Sequence, residues 1–142
     1  MKVIEAVYMK KLPKSDSALL LRTDFRDDDA LCEAVQEPSD EGFQARFDYI
    51  SDLAYEGLTV KQLVVLASRE EHSFSCIADR TTLTNSERPI LVVDLYDQPG
   101  RTFRVIPSEI WSVENNLSIA ANMDYSEFAD NCDSDGVFRG FS

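Results

Sequence analysis

Histidine and cysteine are scarce in this sequence of 142 residues, which contains one histidine, His72, and three cysteines. Cys32, Cys76 and Cys132 are odd in number and form no Cys-x-x-Cys pair, so their spacing predicts neither a disulfide framework nor a zinc site. Free thiols fit a reducing compartment. One histidine cannot supply a His-rich metal site. His72 is interpreted as an ordinary polar residue at the start of a strand rather than as a pH switch.

Glycine is also infrequent, with five residues in the whole chain. No glycine-rich phosphate loop and no Gly-x-Ser-x-Gly nucleophile elbow can be found among them. The sequence therefore predicts no nucleotide cofactor, and no other cofactor is indicated. Paired carboxylates could still meet in space, but no spacing in the sequence requires it.

Long apolar runs are absent. A helix that spans a bilayer needs about 18 or more consecutive apolar residues, and no such run occurs. The apolar stretch Val3 to Met9 is interrupted by Glu5 and is too short for the core of a signal peptide. We therefore expect a cytoplasmic protein that does not cross a membrane.

Basic residues are outnumbered, with 14 Lys and Arg against 26 Asp and Glu, which gives a formal net charge of −12. Nucleic-acid binding depends on a basic surface that neutralises phosphates, so direct binding to nucleic acid is not expected. Two interpretations of the acidic balance remain open. The charge either keeps the protein soluble and monomeric, or it attracts a basic protein partner.

The remaining composition, 44% hydrophobic and 28% charged, is typical of a globular protein, and we expect residues 1–142 to form one domain. Apolar runs and alternation predict strands, and periods of three to four residues predict helices. The predicted strands are Val3–Met9, Ala18–Thr23, Phe43–Tyr49, Phe74–Ala78, Ile90–Tyr96 and Arg101–Ile106, and the predicted helices are Ala30–Gln36, Val60–Ser68, a segment from Pro107 and Asp124–Asn131. A polar loop is expected over residues 79–88. The fold class is α+β or mixed α/β, with one mixed sheet, an antiparallel hairpin at about residues 90–106 and three to four covering helices.

Asp94 lies inside an apolar strand, where an ionised carboxylate needs a partner. If the turn Asp97-Gln98-Pro99-Gly100 sets the register, Arg101 becomes the diagonal neighbour of Asp94 on one face of the hairpin. We therefore predict that Asp94 pairs with Arg101. The pair is either structural or marks a functional acid at the end of a strand.

A second group of acids, which begins at Asp24, follows the buried strand Ala18–Thr23. The acids suit the start of a helix, and Asp27 or Asp28 is expected to cap it. Asp24 could also contribute to an acidic pocket with Asp94 and Arg101. Convergence of Asp24 and Asp94 with Arg104 and Glu114 in one concave site would support such a pocket.

An acidic stripe is predicted near the end of the sequence. Its members, Asp124, Glu127, Asp130 and Asp133, recur every third residue and would share one face of a helix. The stripe is either a solvated face or a docking surface for a basic protein.

Overlapping this stripe, residues 131–136 match the first half of a calcium-binding EF-hand loop, with Asn131, Asp133 and Asp135 as candidate ligands. The twelfth position of the loop, which should supply a bidentate glutamate, is Ser142. A plain Asp-Gly turn is therefore favoured over a metal site.

A polar stripe on the preceding predicted helix is formed by Trp111, Asn115, Ser118 and Asn122, which are spaced by three and four residues. The consecutive asparagines Asn115 and Asn116 are poor choices for a helix interior. Such a local inconsistency is typical of a site selected for another property. The amides either cap a break in the helix or contact a ligand or partner.

The segment Arg-Pro-Ile-Leu-Val-Val-Asp-Leu-Tyr from Arg88, followed by Pro-Gly-Arg-Thr-Phe-Arg-Val-Ile-Pro-Ser-Glu-Ile-Trp-Ser-Val-Glu-Asn-Asn-Leu from Pro99, resembles a family of small, mostly actinobacterial proteins catalogued only as a domain of unknown function. Further likeness lies in residues 21–25, 57–60 and 127–129, so it covers most of the chain. The resemblance implies a stand-alone bacterial domain and supplies no catalytic residues. The most recognisable segment of the family contains Glu109, Trp111, Glu114, Asn115, Asn116, Asn122 and Asp124.

Two hypotheses of function follow from these observations. The acidic balance and the missing catalytic constellation favour a non-enzymatic interaction module, similar to an immunity protein or antitoxin, that offers an acidic surface to a basic partner. The alternative is a small-molecule-binding or hydrolytic domain with an acidic pocket around Asp24, Asp94 and Arg101.

Overall fold

The computed structural model describes residues 11–36, 42, 45–67, 72–119 and 123–141. Within these residues, six strands form one sheet in the order β2-β1-β3-β4-β5-β6. The strands are β1 (Ala18–Arg22), β2 (Phe47–Ile50), β3 (Phe74–Ala78), β4 (Ile90–Asp94), β5 (Thr102–Val105) and β6 (Val137–Phe138). The α-helices are α1 (Asp28–Gln36), α2 (Val60–Leu66), α3 (Arg80–Thr84), α4 (Ile110–Glu114) and α5 (Tyr125–Ala129). The predicted strand Val3–Met9 lies outside the described residues.

The sheet is mixed. Strand β1 pairs in parallel with β2 and β3, β4 is antiparallel to both β3 and β5, and β6 is parallel to β5. This confirms the α+β class and the antiparallel hairpin predicted over residues 90–106. The described part of the chain has five α-helices rather than three to four.

The central strands form where the sequence is mostly apolar. All five residues of β1 and all five of β3 are buried, as expected for strands covered on both faces. Helix α1 begins where Asp27 accepts a hydrogen bond from the Ala30 amide at 3.0 Å, as predicted for this cap. Helix α2 begins with a capping box, in which Thr59 and Gln62 each accept a bond from the other's backbone amide.

Two apolar clusters cover the two faces of the sheet. Leu20, Cys76, Val92 and Phe103 lie in register across β1, β3, β4 and β5, and they pack with α1, α4 and α5. The alternate residues Leu21, Ile77 and Val93 point to the other face and pack against Leu63 of α2. The period of two along each strand thus separates the clusters.

Two local predictions are wrong. The segment 79–88 was expected to be a polar loop, but Arg80–Thr84 forms α3, which is capped by Asp79. The single helix expected from Pro107 is instead three segments, a 3-10 helix (Pro107–Glu109), α4 and a π-helix (Asn115–Ile119). A π-helix turn contains more residues than an α-helical turn, so side chains on its two sides no longer share the predicted face.

None of the helices in the described part of the chain is long and apolar enough to cross a membrane.

Candidate functional site

One edge of the sheet collects the carboxyl ends of β1, β2, β3, β5 and β6, because these strands run in the same direction. Helix α1 leaves β1 toward one face, and α2 reaches β3 from the opposite face. The connections therefore change face between β1 and β3, and ligands of open α/β sheets bind outside the carboxyl ends of strands at such a point. We call this side of the sheet the carboxyl edge and the other side the amino edge.

At the carboxyl edge, Asp79 follows β3 and binds Arg104 of β5. The guanidinium donates from Nη1 to Oδ1 at 3.0 Å and from Nη2 to Oδ2 at 2.8 Å. Asp79 also accepts from the Thr82 amide at 3.1 Å. Burial by itself would raise the pKa of Asp79, but the bonds from Arg104 and Thr82 outweigh it and lower this pKa. Asp79 is therefore an ionised structural partner rather than a proton donor.

Asp24 lies at the same edge but faces another cation. Its Oδ1 accepts from the backbone amide of Arg26 at 3.1 Å and from the Arg26 Nε at 2.9 Å. The preceding Arg22 is buried, binds the Asp28 carboxylate at 2.6 Å and lies over the Phe25 ring at 4.5 Å. Asp24 thus belongs to a local set of ion pairs at the start of α1.

An open cleft of about 710 Å³ lies at this edge. It lies between α1, the loop before β4 and the 3-10 helix after β5. Its lining residues are Cys32, Glu33, Ser86, Glu87, Arg88, Ile106, Pro107 and Ser108. Sequence reasoning selected none of them as a site, since they come from three distant segments and no local motif joins them.

The charged residues of the cleft are held by hydrogen bonds. Arg88 donates from Nε and Nη2 to Oε2 of Glu33, at 3.1 and 2.9 Å, and from Nη1 to the carbonyl oxygens of Leu83 and Asn85. Glu87 accepts from Arg139 through both carboxylate oxygens, at 2.9 and 2.8 Å. These bonds lower the pKa of Glu87 and keep it ionised at neutral pH.

The predicted pair of Asp94 and Arg101 is wrong. Asp94 is buried, and its carboxylate accepts hydrogen bonds from the backbone amides of Tyr96 at 2.9 Å, Asp97 at 3.2 Å and Gln98 at 2.8 Å. Arg101 instead donates to Asp130 at 2.7 Å. The loop between the strands is longer than the assumed turn, so Asp94 lies opposite Arg101, with its amide bonded to the Arg101 carbonyl at 2.9 Å. The two residues are neighbours, but the loop amides bind the Asp94 carboxylate and the Arg101 side chain binds Asp130.

The four residues proposed for an acidic pocket do not converge. Asp94 ends β4, which runs against β1, so Asp94 lies at the amino edge while Asp24 and Arg104 lie at the carboxyl edge. Glu114 is buried and accepts from the Arg46 amide at 2.6 Å, just before β2 begins at the amino edge. The alternative pocket around Asp24, Asp94 and Arg101 is therefore not formed.

Glu114 shares its surroundings with two other ionisable groups. Burial, and secondarily the charge of Glu114, raise the pKa of the Cys76 thiol. Burial also raises the pKa of Tyr49, with smaller contributions from Cys76 and Glu114. Both groups stay protonated near neutral pH, so neither is an activated nucleophile.

The acidic stripe is exposed, but much of it is already bound within the protein. Glu127 accepts from the Asp124 amide at 2.7 Å at the start of α5. Asp130 binds Arg101 and Asp133 binds Arg139, each at 2.7 Å. Asp124 and Glu127 are the stripe members for which the structure shows no ion pair with a described basic side chain.

The candidate calcium ligands have other partners. Arg139 donates to Asp133 at 2.7 Å and to both oxygens of Asp135 at 3.1 and 2.7 Å. The Asn131 amide donates to the Glu127 carbonyl at 2.7 Å. A guanidinium thus occupies the position where a cation was considered, and the described residues contain no cluster of three or more acidic, histidine or cysteine side chains suited to a metal.

The polar stripe on the helix from Pro107 is divided by the π-helix. Asn115 is exposed, whereas Asn116 donates from its side-chain amide to the Ser112 carbonyl at 2.8 Å. Trp111 is partly buried in α4. Glu109 lies against Gly140, so close that a Cβ atom added at Gly140 would lie 3.1 Å from Oε1 of Glu109. Asn122 and the side chain of Ser118 lie outside the described part of the chain.

His72 is more buried than its sequence position indicated, with 4% of its surface exposed. Among the described residues, its Nε2 has no hydrogen-bond partner, and His72 lines a polar cavity of about 80 Å³ together with Ser15, Asp16 and Ser17, among others. A cavity of this size and polarity suits ordered water, which would satisfy the imidazole nitrogen.

The fold and these contacts define a small acidic α+β protein with an open cleft, in which the buried carboxylates of Asp94 and Glu114 accept hydrogen bonds from backbone amides. Residues 17–141 match the model of a family described as Domain of unknown function (DUF6924), and the chain belongs to that family. This confirms the resemblance to a family catalogued only as a domain of unknown function. A search of curated proteins gives no match to the chain.

Proposed function

We propose that the protein is a non-enzymatic, cytoplasmic interaction module, similar to an immunity protein or antitoxin, that offers an acidic surface to a basic protein partner. The observation that carries this proposal is the use of arginine. Six arginines bind carboxylates of the same chain, namely Arg22, Arg26, Arg88, Arg101, Arg104 and Arg139. Each of these arginines is neutralised by a carboxylate of the same chain. Because acidic residues outnumber basic ones, further carboxylates remain to give the surface a negative charge.

The placement of the acids supports a surface role. Asp27, Asp28 and Asp29 are exposed at the start of α1, and Asp124 and Glu127 are exposed at α5. Surface acids of this kind contribute little to folding, but they raise the association rate with an oppositely charged protein. A phosphate backbone would be repelled by the same surface, so we propose a protein rather than a nucleic acid as the partner.

The state of these ionisable groups gives no support to an enzyme. Cys76 and Tyr49 have raised pKa values, while the carboxylates of Asp79 and Asp94 accept several hydrogen bonds from within the chain. A general acid or base must be able to exchange a proton with a substrate, and none of these groups is placed to do so. We therefore do not propose a hydrolytic function with an acidic pocket.

The proposal is tested by purifying the tagged protein from its native host at low and at moderate salt and identifying co-purifying proteins by mass spectrometry. We expect a stoichiometric basic partner whose association rate falls steeply as salt is added, because screening weakens long-range attraction. A neutral or acidic partner, or a rate insensitive to salt, would contradict the proposal. The absence of any partner in repeated purifications would also contradict it.

A further inference from the structure

We infer that the open cleft at the carboxyl edge receives a lysine or arginine side chain from the basic partner. This inference rests on the proposed function and assigns the docking surface to one place. The cleft volume of about 710 Å³ lies within the range of about 300–1,000 Å³ found for ligand sites in proteins. Its walls come from α1, the loop before β4 and the 3-10 helix Pro107–Glu109.

The charge of the cleft favours a cation. Glu33 and Glu87 contribute two carboxylates, and Arg88 contributes one guanidinium. Arg139, which binds Glu87, also binds Asp133 and Asp135, so the cleft and the groups bonded to it contain four carboxylates against two guanidiniums. Arg88 is committed through four hydrogen bonds to Glu33, Leu83 and Asn85, so little of it is available to an anion. An incoming phosphate or carboxylate would meet both glutamates, whereas a cation would be attracted by them.

Glu33 has the capacity to bind a second cation. Arg88 uses only Oε2 of this carboxylate, and the Glu33 side chain is 62% exposed. A carboxylate accepts about four hydrogen bonds through its two oxygens, so Oε1 can accept from an incoming ammonium or guanidinium. Asp29 precedes Glu33 by four residues on the same helix and is exposed on the same face, which extends the negative surface outward from the cleft.

The shape of the cleft also fits a long cationic side chain. Ile106 and Pro107 supply apolar wall, and Ser86 and Ser108 supply hydroxyl groups. Lysine and arginine carry an apolar stem below a charged head, so the stem can contact the apolar wall while the head reaches Glu33. A short hydrophobic side chain would leave both glutamates without a new partner.

The cleft carries its own probe position, because Cys32 lines it and is exposed. We would attach a fluorophore to Cys32 in a Cys132→Ser background and titrate the full chain with tetraarginine, using tetraglutamate as the control peptide. The expected result is a saturable signal with tetraarginine that weakens as salt is added, and no saturable signal with tetraglutamate. Absence of saturable tetraarginine binding would overturn the inference.

Two variants and a matched control locate the binding. Glu33→Gln should weaken tetraarginine binding about five-fold or more, equivalent to about 1 kcal/mol. Asp97→Asn removes the same charge from an exposed residue in the loop between β4 and β5, at the amino edge, and should leave binding within about two-fold. Since Glu33→Gln also removes a partner of Arg88, Ser108→Trp provides a second test that fills the cleft without changing charge. Thermal unfolding checks that each variant is folded.

The outcomes separate this inference from the proposed function. Equal weakening by Glu33→Gln and Asp97→Asn, or unchanged binding in a folded Ser108→Trp variant, would show diffuse charge attraction and overturn the cleft assignment. In that case, a basic partner recovered from the native host would still support the docking function. A captured partner whose affinity falls in Ser108→Trp but not in Asp97→Asn would support both.

Discussion

Asp79 and Arg104 form a bidentate ion pair that passes across β4, the strand lying between β3 and β5. Arg104 also donates to the Pro89 carbonyl at 3.1 Å, and the Thr82 hydroxyl donates to the same oxygen at 2.8 Å. The pair therefore connects the end of β3, the entry to β4 and the middle of β5. These bonds stabilise the carboxyl edge of the sheet beside the cleft.

Replacing Asp79 tests this connection. Asp79→Ala removes both the cap of α3 and the partner of a partly buried guanidinium, so we expect a loss of about 2 kcal/mol in the free energy of unfolding at neutral pH. The folded-state pKa of Asp79 is lowered, so its contribution is present above the ordinary aspartate range near pH 4 and is lost as the pH falls below it. Urea unfolding of both proteins at several pH values measures the difference. A difference that grows toward acid pH would contradict this assignment.

Asp94 is predicted to act on the hairpin loop and not through Arg101. Asp94→Ala leaves three loop amides without their acceptor and should cost about 2 kcal/mol of stability. Arg101→Gln loses a bond to the exposed Asp130 carboxylate and should cost less than about 1 kcal/mol. Urea unfolding of the two variants provides the comparison. Equal losses of stability in the two variants would contradict this prediction and would support an ion pair between Asp94 and Arg101.

The three thiols should react in a fixed order with a disulfide reagent at pH 8. Cys32 is exposed and should react first. Burial, with help from Asp133 and Asp135, raises the pKa of Cys132 to about 11, so this thiol should react slowly. Cys76 is buried and its pKa is also raised, so it should react only after unfolding. Mass spectrometry of the modified peptides identifies each thiol, and rapid labelling of Cys76 in the native protein would contradict the packing.

Arg139 is predicted to hold β6 in place. It bonds Glu87, Asp133 and Asp135, so Arg139→Met should lower Tm at neutral pH, with Arg80→Met, an exposed arginine of α3, as the matched control. The pKa values of Glu87 and Asp135 are lowered by Arg139, so the difference from wild type should vanish as the pH falls below the ordinary carboxyl range. Equal losses from the two substitutions would show that the bonds to Arg139 contribute nothing specific.

The contacts of Arg139 also predict that the loop containing Asp133 and Asp135 does not bind calcium. Because Arg139 occupies Asp133 and Asp135, added calcium chloride should leave the Tm of the wild-type protein unchanged relative to magnesium chloride. Thermal unfolding in the two salts measures this. A rise in Tm specific to calcium would revive the loop as a metal site.

The elements that were predicted correctly are those with strong local patterns. Phe74–Ala78 was predicted with its observed bounds, because a short apolar run followed by an acidic residue is unambiguous. Ala18–Arg22 differs from the prediction by one residue. By contrast, α3 has five residues and is rich in threonine, so neither period nor propensity indicated a helix.

The contacts that were missed are those between distant segments. Arg104 was selected as a candidate, but its partner Asp79 could not be identified, since β4 intervenes between them in space and in sequence. Asp94 was recognised as a buried acid that needs a hydrogen-bond donor or a cation as its partner. Its partners are backbone amides, however, and these cannot be identified from the residue types in the sequence. The cleft could not be predicted either, because its walls come from three distant segments that meet only in the folded chain.

The strand order also has a consequence for how the chain folds. Strands β3, β4 and β5 are consecutive in the sequence and adjacent in the sheet, whereas β1 and β3 pair residues such as Leu19 and Ser75. Closing short loops costs less conformational entropy than closing long ones. The meander over residues 74–105 should therefore be ordered in the folding transition state, with high φ-values at Val92 and Phe103, while β1 and β2 join it afterwards.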